Sequence, residues 1–241
     1  MEGIVVENVS KIYGHNKESL FTALSDIEIH LHGSEFLALT GESGSGKSTI
    51  ARLIIGLEKP TTGRILLDGE DVVDWNYKTW RNNRKKIQAV FQDSSGTLNP
   101  MLSAYRNVEQ ALVNLTDLNR KQRKERIFSL MELTNMNMGL LKVPTRLLSG
   151  GEQRRLSLLR ALSIRPKYLI LDEVISGLDL ISADAVMKVL EKYHEEYDCA
   201  CIFVTHDKMS AYRISDRILE IRHGKIIREG EKTQRKELQN E

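Results

Sequence analysis

The segment Gly41-Glu42-Ser43-Gly44-Ser45-Gly46-Lys47-Ser48, with Thr49 behind it, has the residue types and spacing needed to hold a polyphosphate. Glycines let successive backbone N–H groups turn toward one centre, and a helix beginning there adds the positive end of its dipole. Lys47 supplies a point charge for the terminal phosphates, and the Ser48 hydroxyl can ligate Mg²⁺. A second group sits at the end of Tyr168-Leu169-Ile170-Leu171-Asp172-Glu173, an apolar run closed by two acids. A buried strand with this ending places carboxylates at the edge of an α/β sheet where ligands bind. If strand alternation sends the two side chains apart, they can do different jobs. Asp172 is then expected in the Mg²⁺ shell, and Glu173 is expected to position and activate an attacking water. His206, after Ile202-Phe203-Val204-Thr205, is a candidate contact for the γ-phosphate. A lone histidine is more often structural, and its interest here comes from the nucleotide chemistry around it. The expected ligand is MgATP, and the expected reaction is its hydrolysis.

These groups require particular elements around them. Residues 3–8 and 24–40 read as strands broken by a turn at His32-Gly33-Ser34, and Phe36–Thr40 leads into the glycine-rich segment. Ser48–Gly56 reads as a helix, so the G-x-x-x-x-G-K-[ST] pattern has the strand before it and the helix after it that the motif needs. Arg64–Leu67, closed by Asp68-Gly69, and Lys86–Gln92 read as further strands. From about residue 94 to 148 the strand runs give way to helical periodicity, as in Val108, Ala111, Leu112, Leu115 and then Ile127, Leu130, Met131. This is expected to be a helical insert, with Pro144 marking its exit. Beyond it, strands at 168–171, 200–205 and 217–221 alternate with helices at 150–164 and 182–197, the pattern of a parallel sheet with crossover helices. A hairpin at His223-Gly224-Lys225 and a polar tail follow. Ser149 and Glu152 fit a capping box at the head of the 150–164 helix, whose glycines Gly150 and Gly151 expose backbone donors to an anion.

Bulk properties narrow the function classes. The chain has 35 basic and 33 acidic residues, a formal charge of +2, so it carries no strong field for nucleic acid, and none is expected as a partner. No run approaches the ~20 apolar residues that span a bilayer, and the amino terminus does not resemble a signal peptide, so a cytoplasmic location is expected. Cys199 and Cys201 are too few and too closely spaced for a metal site and are read as buried, reduced side chains. The basic runs 81–86 and 120–126 are read as solvated helix faces, and Trp75, Tyr77 and Trp80 as anchors of a helix to the core.

Leu148-Ser149-Gly150-Gly151-Glu152-Gln153, lying ahead of the Asp172-Glu173 strand, resembles the signature of ATP-binding cassette (ABC) ATPases. Further motifs in order strengthen the resemblance. Tyr13 is similar to the aromatic that stacks on adenine, Gln92 in Val-Phe-Gln-Asp to the Q-loop glutamine, Ser176-Gly177-Leu178-Asp179 to the D-loop, and His206 to the switch histidine. The resemblance implies an α/β fold with a P-loop NTPase core, a mainly parallel sheet and an N-terminal antiparallel β subdomain. It implies one domain over 1–241, with a core at 1–93 and 149–241 and the helical insert between. It also implies Gln92 as a further contact to the metal, and a head-to-tail pair of ATPase subunits. Ser149, Gly150, Gly151 and Asp179 then serve ATP bound mainly to the partner. Three positions depart from the family pattern: Val174-Ile175 stands where Pro-Thr is common, Glu152 where Gln is commoner, and Gly177 where Ala is usual.

Phe91-Gln92-Asp93-Ser94-Ser95-Gly96-Thr97-Leu98-Asn99-Pro100 resembles the dipeptide, oligopeptide and nickel importer branch, whose Q-loop runs on into Ser-Leu-Asn-Pro. That branch implies two transmembrane permease subunits, a second ATPase subunit (a related chain or a second copy), an extracellular substrate-binding protein, and a place on the cytoplasmic face of the membrane. The short carboxyl end resembles the nickel and metal-chelate members more than the longer peptide importers. A soluble ABC ATPase of translation or DNA repair is the alternative, although such members carry tandem cassettes or long coiled-coil insertions. An exporter subunit is set aside only by the Q-loop continuation.

Overall fold

The computed structural model describes residues 2–14, 19–92, 95–134 and 136–231. It divides into two compact units, the first comprising Met1–Asn83, Ile170–Asp172 and Cys199–Glu241, the second Arg84–Leu169 and Glu173–Asp198.

The first unit contains two sheets. Strands β1 (Ile4–Tyr13), β2 (Phe21–Leu31), β4 (Thr62–Leu67) and β5 (Glu70–Asp71) form an antiparallel sheet in the order β2-β1-β4-β5. Along β2 the run Ile27, Glu28, Ile29, His30, Leu31 alternates buried and exposed, as a sheet with one wet face requires. The second sheet runs β10-β9-β3-β8-β7 and uses β3 (Phe36–Thr40), β7 (Tyr168–Asp172), β8 (Ala200–Val204), β9 (Arg217–Arg222) and β10 (Lys225–Glu231). Strand β3 is parallel to both β8 and β9, and every residue of β3, β7 and β8 is buried. Strands covered on both faces read as unbroken apolar runs, which is why Phe-Leu-Ala-Leu-Thr and Tyr-Leu-Ile-Leu-Asp stand out in the sequence. Helix α1 (Lys47–Ile54) packs on β8 and β2, and α7 (Lys208–Ile214) packs on β3. Cys199 and Cys201 are buried, unbridged thiols, and the Cys201 thiol is pushed well up by its contact with Cys199 and by burial.

The second unit is mainly helical, with α3 (Ala104–Leu115), α4 (Arg120–Leu133), α5 (Gly150–Ser163) and α6 (Leu180–Glu196), together with strand β6 (Ile87–Val90) beside the start of β7. The segment 94–148 lies inside this unit. Helix α5 packs on α3, α4 and β6, burying Leu156, Leu159 and Leu162, while Val108, Leu112, Ile127 and Met131 are buried on α3 and α4. The buried Tyr193 of α6 donates its hydroxyl to the Leu162 carbonyl at 3.2 Å.

Helix α7 was not expected from the sequence, and α2 (Tyr77–Asn83) was expected only as a helix of unstated bounds, through its aromatics and basic residues. Seven residues make barely two turns, too few for a periodic signal. Of the aromatics read as anchors, Trp80 is buried and meets Trp75 edge-on at 5.0 Å, whereas Tyr77 is 81% exposed.

Arg217, at the head of β9, joins strands of the two sheets. Its guanidinium donates to Glu35 at 2.6 Å, to Glu229 of β10 at 2.7 Å, and to the His30 carbonyl of β2. The Arg217 and Glu35 side chains are only 18% and 15% exposed, so removing the cation strands a carboxylate with little water. Arg217→Ala is expected to cost about 2 kcal/mol in urea unfolding, less than the 3–5 kcal/mol of a fully buried pair because both groups keep some solvent. Arg217→Lys should recover only part of this, since an ammonium cannot reproduce the fork.

Candidate functional site

The glycine-rich segment bends between the end of β3 and the start of α1. Gly41 has φ 145°, and a Cβ there would lie 2.1 Å from the Ile221 carbonyl oxygen of β9. Gly46 has φ 108°, and its Cβ would lie 2.6 Å from Leu24 and 2.8 Å from the Ala23 carbonyl of β2. Both positions therefore exclude any side chain twice over, by conformation and by contact. The β9–β10 hairpin holds the loop further: the Gly224 N–H donates to the Ser45 carbonyl at 3.0 Å, and its own carbonyl accepts from Ser25 N–H at 2.8 Å.

Side chains cap the other long helices at their N termini: Ser103 for α3, Asn119 for α4, Ser149 for α5 and Asp179 for α6. Among the described residues, α1 differs. It begins at Gly46, and no side chain caps it. Its first N–H groups are the donors an anion would use. Lys47 is buried, at 5% exposure, with its ammonium donating to the carbonyls of Gly41 at 2.8 Å and Glu42 at 2.7 Å and to Ser45 Oγ at 3.4 Å. The loop thus curls around the cation that its phosphate ligand would share. Ser48 Oγ donates to Asp172 Oδ1 at 2.9 Å, and Asp172 is 5% exposed. A hydroxyl and a carboxylate paired in this way form a hard oxygen donor set suited to Mg²⁺. No group of three or more His, Cys, Asp or Glu side chains placed to hold a metal ion occurs among the described residues.

Strand β7 ends at Asp172, so Glu173 does not continue the alternation expected of it. It stands just beyond the strand at φ 52°, left-handed for a residue with a side chain, and is half-buried. The two carboxylates part company through this turn rather than through the pleat. His206 is exposed in the link between β8 and α7, fixed on both sides. Thr205 N–H donates to the Leu39 carbonyl at 3.1 Å, Asp207 N–H donates to Thr205 Oγ1 at 3.0 Å, and Asp207 caps α7. Tyr13 closes β1, and its hydroxyl donates to Glu58.

In the second unit, Gln92 Nε2 donates to Ser176 Oγ at 3.5 Å. Arg154, one turn into α5, donates to the Ser176 carbonyl and, at 3.2 Å, to the Gln92 carbonyl. No spacing rule singles out Arg154, because a basic residue on an early turn looks like any solvated one. Asp93 and Ser94, part of the segment compared with the importer branch, lie outside the described residues. Further along that segment, Asn99 is anchored on both backbone groups. Its N–H donates to Asn107 Oδ1 at 2.8 Å, and its carbonyl accepts from Asn107 Nδ2 at 3.0 Å and Thr145 Oγ1 at 2.8 Å. Asn107 is buried, so this turn is bolted to α3.

The capping box at the head of α5 is present in full. Ser149 Oγ accepts from Glu152 N–H at 3.3 Å, and the Glu152 carboxylate accepts from Ser149 N–H and from its hydroxyl, both at 2.8 Å. Ser149 and Gly150 are exposed, and Gly151 lies beside Ser182, the residue whose N–H donates to Asp179 at 3.0 Å. The expected anion-facing hydroxyl is therefore already engaged by Glu152.

Against known proteins, residues 24–176 match the ABC transporter family. The chain is 34% identical over 226 residues to the nickel import ATP-binding protein NikE of Shigella dysenteriae, covering 92% of this chain and 84% of that one. It is 33% identical, with the same coverage, to NikE of Escherichia coli K12. Among solved structures, the dimeric post-hydrolysis state of the ATP-binding cassette MJ0796 bound to ADP and Pi superposes with a TM-score of 0.86 at 29% identity, covering 95% of this chain and 98% of that one. CbiO1 of Clostridium perfringens, part of the ABC transporter complex CbiONQ, superposes at 0.84 with 30% identity over 100% and 92% of the two chains. The chain belongs to the ABC transporter family and is an ATP-binding, ATP-hydrolysing member of it. Its α/β fold, with an antiparallel sheet built from the amino-terminal strands and a mostly parallel one, is that of the ABC ATPase cassettes.

The Glu152 carboxyl is held below the usual glutamate range, chiefly by the hydrogen bonds from the Ser149 backbone and hydroxyl. A carboxyl depressed in the folded state contributes stability that is present above its unfolded value, about 4.3, and is lost as the pH falls through the lower folded value. Glu152→Ala is expected to cost about 1 kcal/mol near pH 7, a difference that shrinks on acidification below about pH 4, as followed by urea unfolding across pH. Glu152→Gln should keep the cap with a flat pH response in the same window.

Proposed function

We propose that this chain is the ATP-hydrolysing subunit of an ABC importer that takes up nickel. The phosphate half of the reading rests on one observation: an uncapped helix start beside a buried lysine and a paired hydroxyl and carboxylate. Gly41, Glu42, Ser43, Gly44, Ser45 and Gly46 supply the backbone cradle for ATP, with Lys47 and Thr49 at its helical end. Lys47 would exchange its loop carbonyls for the β- and γ-phosphates, a modest rearrangement for a flexible stem. Tyr13 carries the base. Ser48 and Asp172, with Gln92, would hold Mg²⁺, which would offset the charge that develops during transfer. Glu173 orients the attacking water and accepts its proton, and His206 steadies the γ-phosphate.

Ser149, Gly150, Gly151 and Asp179 serve the nucleotide of a second ATPase subunit, a related chain or another copy. The chain works as one ATPase domain with residues 94–148 as its helical insert, on the cytoplasmic face beneath two permease subunits supplied by a substrate-binding protein. No helix among the described residues is long and apolar enough to cross a membrane. Nickel is favoured over peptides by the NikE relatives. Labelled-nickel uptake in cells that depend on this chain tests the cargo directly. Uptake of oligopeptides with no nickel accumulation would overturn it.

Glu173→Gln is expected to slow ATP turnover by about 100-fold while leaving ATP binding within about twofold, since a positioned base is worth roughly that much. Near-normal turnover would remove Glu173 from its role. Ser48→Ala should raise the Mg²⁺ concentration needed for half-maximal hydrolysis several-fold, with nucleotide affinity in EDTA unchanged.

A further inference from the structure

Glu58 has no counterpart among the motifs read from the sequence, yet several contacts around Tyr13 converge on it. It lies four residues beyond α1, with its N–H directed to the Arg52 carbonyl at 3.4 Å and that of Leu57 to the same carbonyl at 2.9 Å. Its carboxylate accepts the Tyr13 hydroxyl and pairs with Lys11 at 3.4 Å and Arg52 at 3.9 Å, with only a quarter of the side chain exposed. Lys11 also donates to the Lys59 carbonyl at 2.7 Å and places its ammonium 4.9 Å from the centre of the Tyr13 ring. Next to this, Thr61 N–H donates to the Ser10 carbonyl at 2.8 Å, and Ile12 N–H donates to Thr61 Oγ1 at 3.0 Å.

The end of β1 is thus stitched to the segment 58–61 by side chains and backbone together. A tyrosine at a strand end, beside exposed Ile12, has rotamers to choose from; a hydroxyl bound to a carboxylate with two cations behind it does not. Burial first, and then the Glu58 hydrogen bond, raise the Tyr13 phenol, which keeps it the donor. With the Lys11 ammonium over one face of the ring, a stacking partner would take the opposite one.

We propose that Glu58 is a positioning residue for nucleotide binding, holding the Tyr13 ring in the orientation that receives the base and tying it to the helix that begins at Lys47. The proposal rests on the reading of Tyr13 as the base-stacking aromatic. It predicts that Glu58 matters to the base end of the ligand and not to the phosphate end.

Isothermal titration of the full-length protein with ATP and with inorganic tripolyphosphate separates the two ends. Glu58→Ala is expected to weaken ATP about 5- to 10-fold and leave tripolyphosphate unchanged, the usual effect of one charge-assisted hydrogen bond. Tyr13→Phe should weaken ATP similarly, and the double variant should be no weaker than either single one. Glu58→Gln, whose amide oxygen still accepts, should restore most of the affinity. Equal losses for ATP and tripolyphosphate would overturn the proposal in favour of general damage to the fold. So would an unchanged ATP affinity in Glu58→Ala when Tyr13→Ala binds ATP about tenfold more weakly. If Tyr13→Ala itself binds ATP normally, the reading of Tyr13 falls first and the proposal goes with it.

Discussion

The hydrogen bond between Ser48 Oγ and Asp172 Oδ1 joins residues 124 positions apart, and the first unit is arranged so that it can form. Both side chains must leave the same edge of a sheet. Parallel strands achieve this, as β3 and β8 do next to β7 in the sheet, because each delivers its next residues to the same edge. Such strands are covered on both faces, which calls for the unbroken apolar runs of β3, β7 and β8 and leaves polar chemistry only at their ends. The loop preceding Ser48 must then turn within the space left by β2 and β9. That is why Gly41 and Gly46 have no room for a Cβ.

The second unit meets a different requirement: its functional segments have little secondary structure of their own and are held by side chains. Arg154 donates to carbonyls on both sides of the gap between Gln92 and Ser176, while Asn107 and Thr145 hold the turn at Asn99. A guanidinium suits the first task because its planar fork offers several donors at fixed angles. A buried amide suits the second because it both accepts and donates. Glu152 shows one residue under two demands. Its carboxylate completes the cap of α5, and in doing so it puts negative charge at the helix start where Ser149 and Gly150 are exposed.

Much of the fold was legible in the sequence wherever the signal was local. The glycine-rich segment, the capping box and the apolar strands each declare themselves within about ten residues, and the structure reproduces them, although β1 runs on to Tyr13, well past its expected end at residue 8, and β2 starts at Phe21 rather than residue 24. What escaped was short or distant. Helix α7 is too brief to show a period, and Tyr77 shares its aromatic character with Trp80 but faces water. The Tyr13–Glu58, Arg154–Gln92 and Arg217–Glu35 contacts link residues 45, 62 and 182 positions apart, and no spacing rule reaches that far. The departure at Glu173 is of another kind. Alternation was a sound rule for a strand, but the strand stops one residue earlier.

That left-handed glutamate has an evolutionary consequence. A side chain at φ 52° costs the fold about 1 kcal/mol or more, and Asn, Asp or Gly would bear the same backbone more cheaply. Selection for stability alone would replace it, so its presence records a selection that stability does not explain. If Glu173 is the base proposed above, then in descendants that kept the transporter scaffold but gave up turnover, position 173 is where drift would run downhill first, toward residues that fold more easily.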